Sequence, residues 1–405
     1  MKYFKNLELA RIYHVSEKSV RNWIEATRAG RLNLELFEKE GRSFISNTDS
    51  NQRIVEQLVA KGQKYKNSRG QKTVKPTPEF YKLYSKKQIL DIIANIDIHR
   101  EIPLQYSYFD GGSEYWDKFT QRLLEESGPN VLKSTIELLR LDRGYIDMLL
   151  KDFKDVNVID LGVGNGLSVR ETIAHLHNKK LLKRYTGIDL SREMLDLAKH
   201  NIDEWFDGQV TFEPTIRDIS YDRFEDLTEP LSDSRAPTAN VILLLGGTLT
   251  NLRTPNHALE VINSSMGKND LLIYAKKLDT EKSRRYFDFN LEYKQHLAPN
   301  HKLILDYLNI DESLYEIEQL FDQERKERLV RVRVKVDLSI NIEIESFQRQ
   351  VQLKKGEPIL VWRAKHQTAL EVINQFDSHG FNLLHATKSP DQEYLLTISK
   401  IKTDA

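Results

Sequence analysis

The chain of 405 residues contains no cysteine, which excludes disulfides, thiolate nucleophiles and Cys-ligated metals together. Proline (11) and glycine (18) are sparse, so collagen-like and low-complexity architectures are set aside. No apolar run approaches the length of a membrane span, and charges interrupt MKYFKNLELARIYH where a signal peptide needs an apolar stretch. A globular, cytoplasmic protein with no membrane partner is the expectation. Net charge is lacking too, with 60 Lys and Arg against 60 Asp and Glu. That balance hides an asymmetry: residues 1–75 hold 16 basic and 8 acidic residues, a net of +8, and the remainder carries −8. A basic segment facing a polyanion fits this pattern, and so does a merely solvated surface. The eleven histidines show no H-x-x-E-H or related spacing, so no metal is expected.

What is present begins with a short N-terminal domain. Leu7, Leu9, Ala10 and Ile12 form one apolar set, Val15 lies in a turn, and Ser16 caps a second helix whose apolar positions Val20, Trp23 and Ile24 recur at helical spacing. Gly30 stops that helix, and LNLELF and RSFIS flank EKEG as a small β-wing. The string ELARIYHVSEKSVRNWIEATRAG resembles the MerR/excisionase type of winged helix-turn-helix. The resemblance implies that Lys18, Ser19, Arg21, Asn22 and Arg28 face DNA, Arg21 or Asn22 at base edges and Lys18 and Arg28 at phosphates. The same small fold also docks peptides or braces another subunit. Residues 49–66 predict one more amphipathic helix, NSRGQKTVKPTPEF reads as a linker, and a second domain begins near Pro76.

The strongest chemical signal is VNVIDLGVGNG (156–166), an apolar strand running into glycines 162, 164 and 166, then a helical stretch. A second strand, YTGIDLS, ends in Asp189 and is followed by the helix SREMLDLAKHNI. Glycines at the first turn let backbone approach a ligand, and a carboxylate at the tip of the second strand accepts ribose hydroxyls. The LGVGNG turn after Asp160 and the acidic tip of IDLS resemble the first two motifs of class I S-adenosylmethionine-dependent methyltransferases; a nicotinamide enzyme more often spaces its glycines G-x-G-x-x-G. That resemblance implies a nucleoside site of Asp160, Gly162, Gly164, Gly166, Asp189, Asp218, Ile219 and Gly246, with Asp218 at the adenine amino group.

Four segments narrow it: YFDGGSEYWDKFT (108–120), LGVGNG, IDLS and LLGGTLTNL. Together they resemble, in order and over residues 100–400, the histidine-specific methyltransferase family of the ergothioneine-pathway kind. The family implies a substrate domain inserted late in the core, and places Tyr108, Trp116, Asn251 and Tyr286 at an amino-acid-like acceptor. Of these, Tyr108, Asn251 and Tyr286 would be catalytic, while Gly112 and Ser113 shape the loop between the aromatics. Asn251 alternatively caps a helix, and Trp116 and Tyr286 alternatively fill the core. The chain departs from the family pattern at GEPILVWRAKHQT (356–368), where Trp362 and Arg363 stand in a stretch expected to carry an acid and a hydroxyl for imidazole. Unmatched imidazole nitrogens would cost about 1–3 kcal/mol each, which argues against free histidine and makes Trp362 and Arg363 candidate contacts to another acceptor. RLLEESGPNVLK replaces the family's Tyr-Pro loop.

The expected architecture is α/β: a winged helix-turn-helix (1–70), a Rossmann-like class I methyltransferase core (71–275), an inserted α+β substrate domain (276–362) and the C-terminal part of the core (363–405). Within the insert, RLVRVRVKVDLSINIEI reads as one long half-exposed strand, and FNLLHATKS with EYLLTISKI as a closing antiparallel pair. The leading function is N-methylation of an amino acid or amino-acid-derived small molecule with S-adenosylmethionine. A DNA-binding regulator that senses a ligand through its methyltransferase-like domain, or methylation of a peptide recruited by the N-terminal domain, are the alternatives.

Overall fold

The computed structural model describes residues 3–13, 15–39, 41–68, 71–229, 237–288, 296–345 and 347–402, and the backbone alone for 60–68, 71 and 285–288. The chain divides into two units, Met1–Thr73 with Val336–Ser339, and Val74–Lys335 with Ile340–Ala405.

In the first unit, β1 (Tyr3–Phe4) precedes α1 (Asn6–Ile12) and α2 (Glu17–Arg28). Ser16 starts α2, its hydroxyl oxygen accepting the Ser19 N–H at 3.1 Å, because the first helical amides have no partner within the helix. β2 (Leu36–Lys39) and β3 (Arg42–Ser46) form an antiparallel hairpin, with β1 on the other side of β3. α3 (Asp49–Ser68) and the short β4 (Gln71–Val74) follow. Leu9, Ala10, Val20, Ile24, Leu34, Ile45 and Val55 make one small core.

The second unit opens with helices: α4 (Pro78–Leu83), α5 (Lys86–Ala94), a π-helical turn (Asn95–His99), a 3-10 turn (Leu104–Tyr108), α6 (Gly112–Glu125), α7 (Val131–Leu141) and α8 (Arg143–Leu150). Part of the stretch read as a linker is thus ordered, with β4 in it and Phe80 fully buried. Then strands and helices alternate: β5 (Asp155–Leu161), α9 (Arg170–Asn178), β6 (Leu182–Asp189), α10 (Arg192–Trp205), β7 (Phe212–Ile216), α11 (Glu225–Thr228), β8 (Thr238–Leu245), α12 (Thr248–Asn251), α13 (Pro255–Ser265) and β9 (Leu271–Lys277). After the insert, α16 (Ala369–Ser378), β15 (Phe381–Lys388) and β16 (Tyr394–Ile401) complete a seven-stranded sheet in the order β15-β16-β9-β8-β5-β6-β7. β5 to β9 run parallel, and β16 lies antiparallel to both neighbours. This is the expected α/β Rossmann-like core with its antiparallel ending.

Near-continuous apolar runs such as VILLL in β8 arise because helices cover both faces of the sheet. Alternate residues divide between them: Val156, Val158, Val241 and Leu243 join one cluster with Leu195 and Ile202, while Ile159, Leu161, Ile242 and Leu244 join the other with Leu259 and Phe376.

The insert contains α14 (Glu281–Asp288), α15 (Pro299–Tyr307), β10 (Tyr315–Asp322), β11 (Glu327–Val334), β12 (Asp337–Ile344), β13 (Phe347–Leu353) and β14 (Pro358–Lys365). β11 sits between β10 and β14 in an antiparallel sheet. The single long strand expected over RLVRVRVKVDLSINIEI is therefore two, broken at Lys335–Val336. Backbone bonds fix the end of β11 on both sides, Val334 N–H to Glu357 O at 3.1 Å and Lys335 N–H to Leu314 O at 2.8 Å. Val334, Val336 and Leu338 continue the period of two through the break, so alternation carries no trace of it. Arg333, expected at the solvent face, pairs with Glu318 of β10 at 2.9 Å. Among the described residues, no helix is long and apolar enough to cross a membrane.

Candidate active site

β5 delivers the chain into the glycine turn at the carboxyl edge of the sheet, the place where open α/β sheets bind ligands. Gly162, Gly164 and Gly166 have φ of 72°, 57° and 77°, conformations that side chains resist. The turn is also crowded: a Cβ on Gly162 would lie 2.8 Å from Thr248, and one on Gly164 3.3 Å from the Trp116 indole nitrogen. Asn165 ties the turn to α6, its amide donating to Asp117 Oδ1 and Thr120 Oγ1, each at 2.7 Å. A second close approach explains the Gly-Ser segment, since a Cβ on Gly112 would sit 2.1 Å from the Ser107 carbonyl oxygen. Ser191, the N-cap of α10, donates its hydroxyl to Tyr108 O at 3.2 Å and so fastens the 3-10 turn over the sheet edge.

Between these elements lies a cavity of about 280 Å³. Three carboxylates stand along its sheet side. Asp160 is buried and accepts the Tyr185 hydroxyl at 3.0 Å; burial pushes its pKa up to about 7. Asp189 accepts the Ser191 N–H at 3.0 Å, and burial raises it to about 6. Asp218 accepts the Ser220 N–H at 2.9 Å and is raised by burial as well. Asp91 and Glu101 add two more carboxylates from outside the sheet. Of the two arginines on the lining, Arg217 is committed to Asp226 at 2.6 Å, and Arg253 is exposed. The lining is accordingly acidic, suited to a cationic ligand.

The lining also carries aromatic rings. Tyr108 meets Trp116 edge-on at 6.0 Å between ring centres. Burial raises the Tyr108 hydroxyl well above its ordinary value, the nearby Asp189 adding to the effect, so it remains a proton-bearing donor at neutral pH.

The cavity gathers Tyr108, Trp116, Asp160, Gly162, Gly164, Asp189, Asp218, Ile219, Gly246 and Asn251 from the sequence candidates. Gly166, Trp362 and Arg363 do not line it. Gly166 instead lets the turn pack against α10, where a Cβ would meet Ile202 at 3.5 Å. Trp362 lies under the Arg328 guanidinium at 5.5 Å, and Arg363 pairs with Glu101 at 2.6 Å behind the cavity wall. Asn251 ends α12, and Thr254 rather than Asn251 takes the N-cap position of α13. The side chain of Tyr286 lies outside the described residues. Sequence reasoning missed Asp91, Glu101, Asn165 and Arg253; only Asn165, beside the glycines, had a local signal.

In the N-terminal unit Lys18, Arg21, Asn22 and Arg28 are exposed. Ser19 bonds the Ser16 hydroxyl at 2.8 Å, Arg21 faces Glu17 at 3.7 Å, and Arg28 is tied to the hairpin through Ser43 and Glu38. Among the described residues no group of three or more His, Asp or Glu is placed to hold a metal.

A positively charged adenosyl sulfonium fits this donor set: bare glycine backbone for close approach, carboxylates for ribose and adenine donors, and an aromatic wall for the sulfonium. The family described as "Histidine-specific methyltransferase, SAM-dependent" matches residues 86–401. No curated protein matches the sequence. Solved structures similar to the chain include an S-adenosylmethionine-dependent methyltransferase from Clostridium acetobutylicum, at 12% identity, covering 71% of this chain and 99% of that one with a TM-score of 0.38. A TehB-like methyltransferase from Corynebacterium glutamicum is similar at 12% identity, 72% and 98% coverage and a TM-score of 0.34. With the family match running over most of the chain, from α5 to the last strand, this protein belongs to the histidine-specific family of S-adenosylmethionine-dependent methyltransferases.

Proposed function

We propose that the enzyme methylates a nitrogen of an amino acid or amino-acid-derived small molecule. The observation that carries this reading is that one cavity gathers both sets of groups: Asp189, Asp218, Gly164 and Trp116 share its lining with Asn251, Arg253 and Glu101. When bound, S-adenosylmethionine supplies an electrophilic methyl carbon, whose bond to sulfur breaks as the acceptor lone pair forms the new C–N bond.

The chain's part is positioning. Asp189 accepts hydrogens from the ribose hydroxyls, Asp218 accepts from the adenine amino group, and the backbone at Gly162 and Gly164 closes on the ligand. Tyr108 and Trp116 place π-density beside the sulfonium. Asn251 donates its amide to the acceptor carboxylate, with Arg253 as a second cationic partner. Tyr108 orients the amine by accepting one of its N–H groups on the phenol oxygen, which leaves the nitrogen lone pair free to attack, and the proton lost from an ammonium acceptor passes to water. Tyr286 is assigned to the acceptor by family resemblance alone.

The N-terminal unit is read as a winged helix-turn-helix, with Lys18, Arg21 and Asn22 on α2 facing DNA. Its net charge of +8 over residues 1–75 supports the reading. A ligand-modulated DNA-binding protein without turnover is the competing account.

Incubation with S-adenosylmethionine and a panel of amino acids, following S-adenosylhomocysteine release, tests the leading reading. At least one acceptor is expected to give turnover that Asn251→Ala lowers tenfold or more. No turnover with any amine, alongside salt-sensitive duplex binding altered by S-adenosylmethionine, would replace it with the regulator.

A further inference from the structure

Two lining carboxylates, Asp91 and Glu101, are left unused by the nucleoside motifs and by the aromatics, and Asp91 already accepts from Tyr106 and Asn95. Glu101 is 8% exposed and borders the cavity. Its backbone is fixed to the edge of β14: Leu360 N–H donates to Arg100 O at 2.7 Å, and Ile102 N–H donates to Leu360 O at 2.8 Å. The Glu101 Oε2 accepts from Arg363 Nη2 at 2.6 Å. Arg363 also faces Glu327 at 3.6 Å, and it does not itself reach the cavity. One guanidinium is therefore shared between two carboxylates, each side chain of the three between 10% and 14% exposed.

Such a triad carries one negative charge in excess. A buried excess charge is costly unless a counter-charge meets it, and here the open side of Glu101 is the ligand cavity. Burial raises the Glu101 pKa although Arg363 and, at longer range, Arg253 and His99 oppose it. Arg253, the exposed arginine on the same lining, forms no ion pair with Glu101 among the described residues, and remains available for an acceptor carboxylate.

We propose that Glu101, held in place by Arg363, recognises a side-chain cation of the methyl acceptor, so that the acceptor is a basic amino acid or a close analogue. Arg363 is a positioning residue: it acts through a carboxylate contributed by a distant part of the chain. This rests on the methyltransferase reading and narrows its substrate.

Titration calorimetry with S-adenosylhomocysteine present tests it, using L-lysine, L-arginine and the neutral isostere L-norleucine as probes. Wild type is expected to bind lysine or arginine at least tenfold more tightly than norleucine. Glu101→Gln should abolish the preference while S-adenosylhomocysteine affinity stays within about twofold, which also reports that the variant is folded; Glu101→Asp should retain part of it. Arg363→Lys should raise KM for the basic acceptor and leave kcat unchanged. No preference for the cationic probes, a preference that survives Glu101→Gln, or no binding of any probe to a protein that binds S-adenosylhomocysteine overturns the proposal. Failure of wild type to bind S-adenosylhomocysteine would instead overturn the methyltransferase reading beneath it.

Discussion

The two ends of the cavity are built in different ways. The part proposed for the nucleoside comes from strand termini and their first turns: Gly162 and Gly164 after β5, Asp189 at the tip of β6, Asp218 after β7. Backbone conformation and sheet order suffice to bring these together. The part proposed for the acceptor comes from pieces far apart in sequence, with Glu101 before the core, Arg253 after α12, and Arg363 in the insert holding Glu101 from behind. It depends on ion pairs and on docking between segments. The first kind of site tolerates little change in backbone; the second can alter its ligand through a few side chains while the sheet stays intact.

If that contrast is right, the largest effect should come from backbone change at the nucleoside end. Gly162→Val puts a β-branched residue at φ 72° with its Cβ against Thr248. Affinity for S-adenosylhomocysteine should fall more than a hundredfold by calorimetry, with circular dichroism showing the helices retained. A mild effect would mean that the turn does not touch the ligand.

Next in size is pH. On the proposed reading the ribose is held by the charged form of Asp189, whose pKa burial raises to about 6. Affinity for S-adenosylhomocysteine should hold between pH 7 and 8 and fall by up to about tenfold per unit below about 6. Folding of the free protein should respond in the opposite sense. Burial favours protonated Asp189 and Asp160, so their contribution to stability is fully present below the ordinary carboxylate range and is lost as pH rises through about 6 and about 7. Thermal unfolding with and without S-adenosylhomocysteine across this range would show the two slopes separate; parallel slopes would remove Asp189 from the ligand.

The smallest expected effect lies just outside the acceptor end. Trp362→Phe keeps a ring under Arg328 and alters nothing on the cavity lining. S-adenosylhomocysteine affinity and turnover should both stay within about twofold, and a larger change in KM would bring Trp362 back to the acceptor.

The same contrast decides what could be read from sequence. Glycine spacing, the acid at the end of IDLS and the apolar strands report local backbone and burial, so the α/β core and the cavity lining at Gly162, Gly164 and Asp189 were legible. The break at Lys335–Val336 was hidden because Val334, Val336 and Leu338 keep the alternation across it, and only backbone partners from other segments, Leu314 and Glu357, end β11 there. Glu101 was equally hidden: an acid in HREIPLQY looks like any surface charge until Arg363, 262 positions away, is placed beside it. Trp362 and Arg363 were misdirected by position in a motif, since the strand that carries them turns those side chains toward Arg328 and Glu101 rather than into the cavity.

The central claim is that Asp189 holds the ribose of an adenosyl ligand at the mouth of the sheet, and calorimetry of S-adenosylhomocysteine with wild type and Asp189→Ala tests it most directly. Loss of a charge-assisted pair of about 1.5–3 kcal/mol predicts affinity lower by roughly ten- to hundredfold in a folded variant. Equal affinity for the two proteins would contradict it.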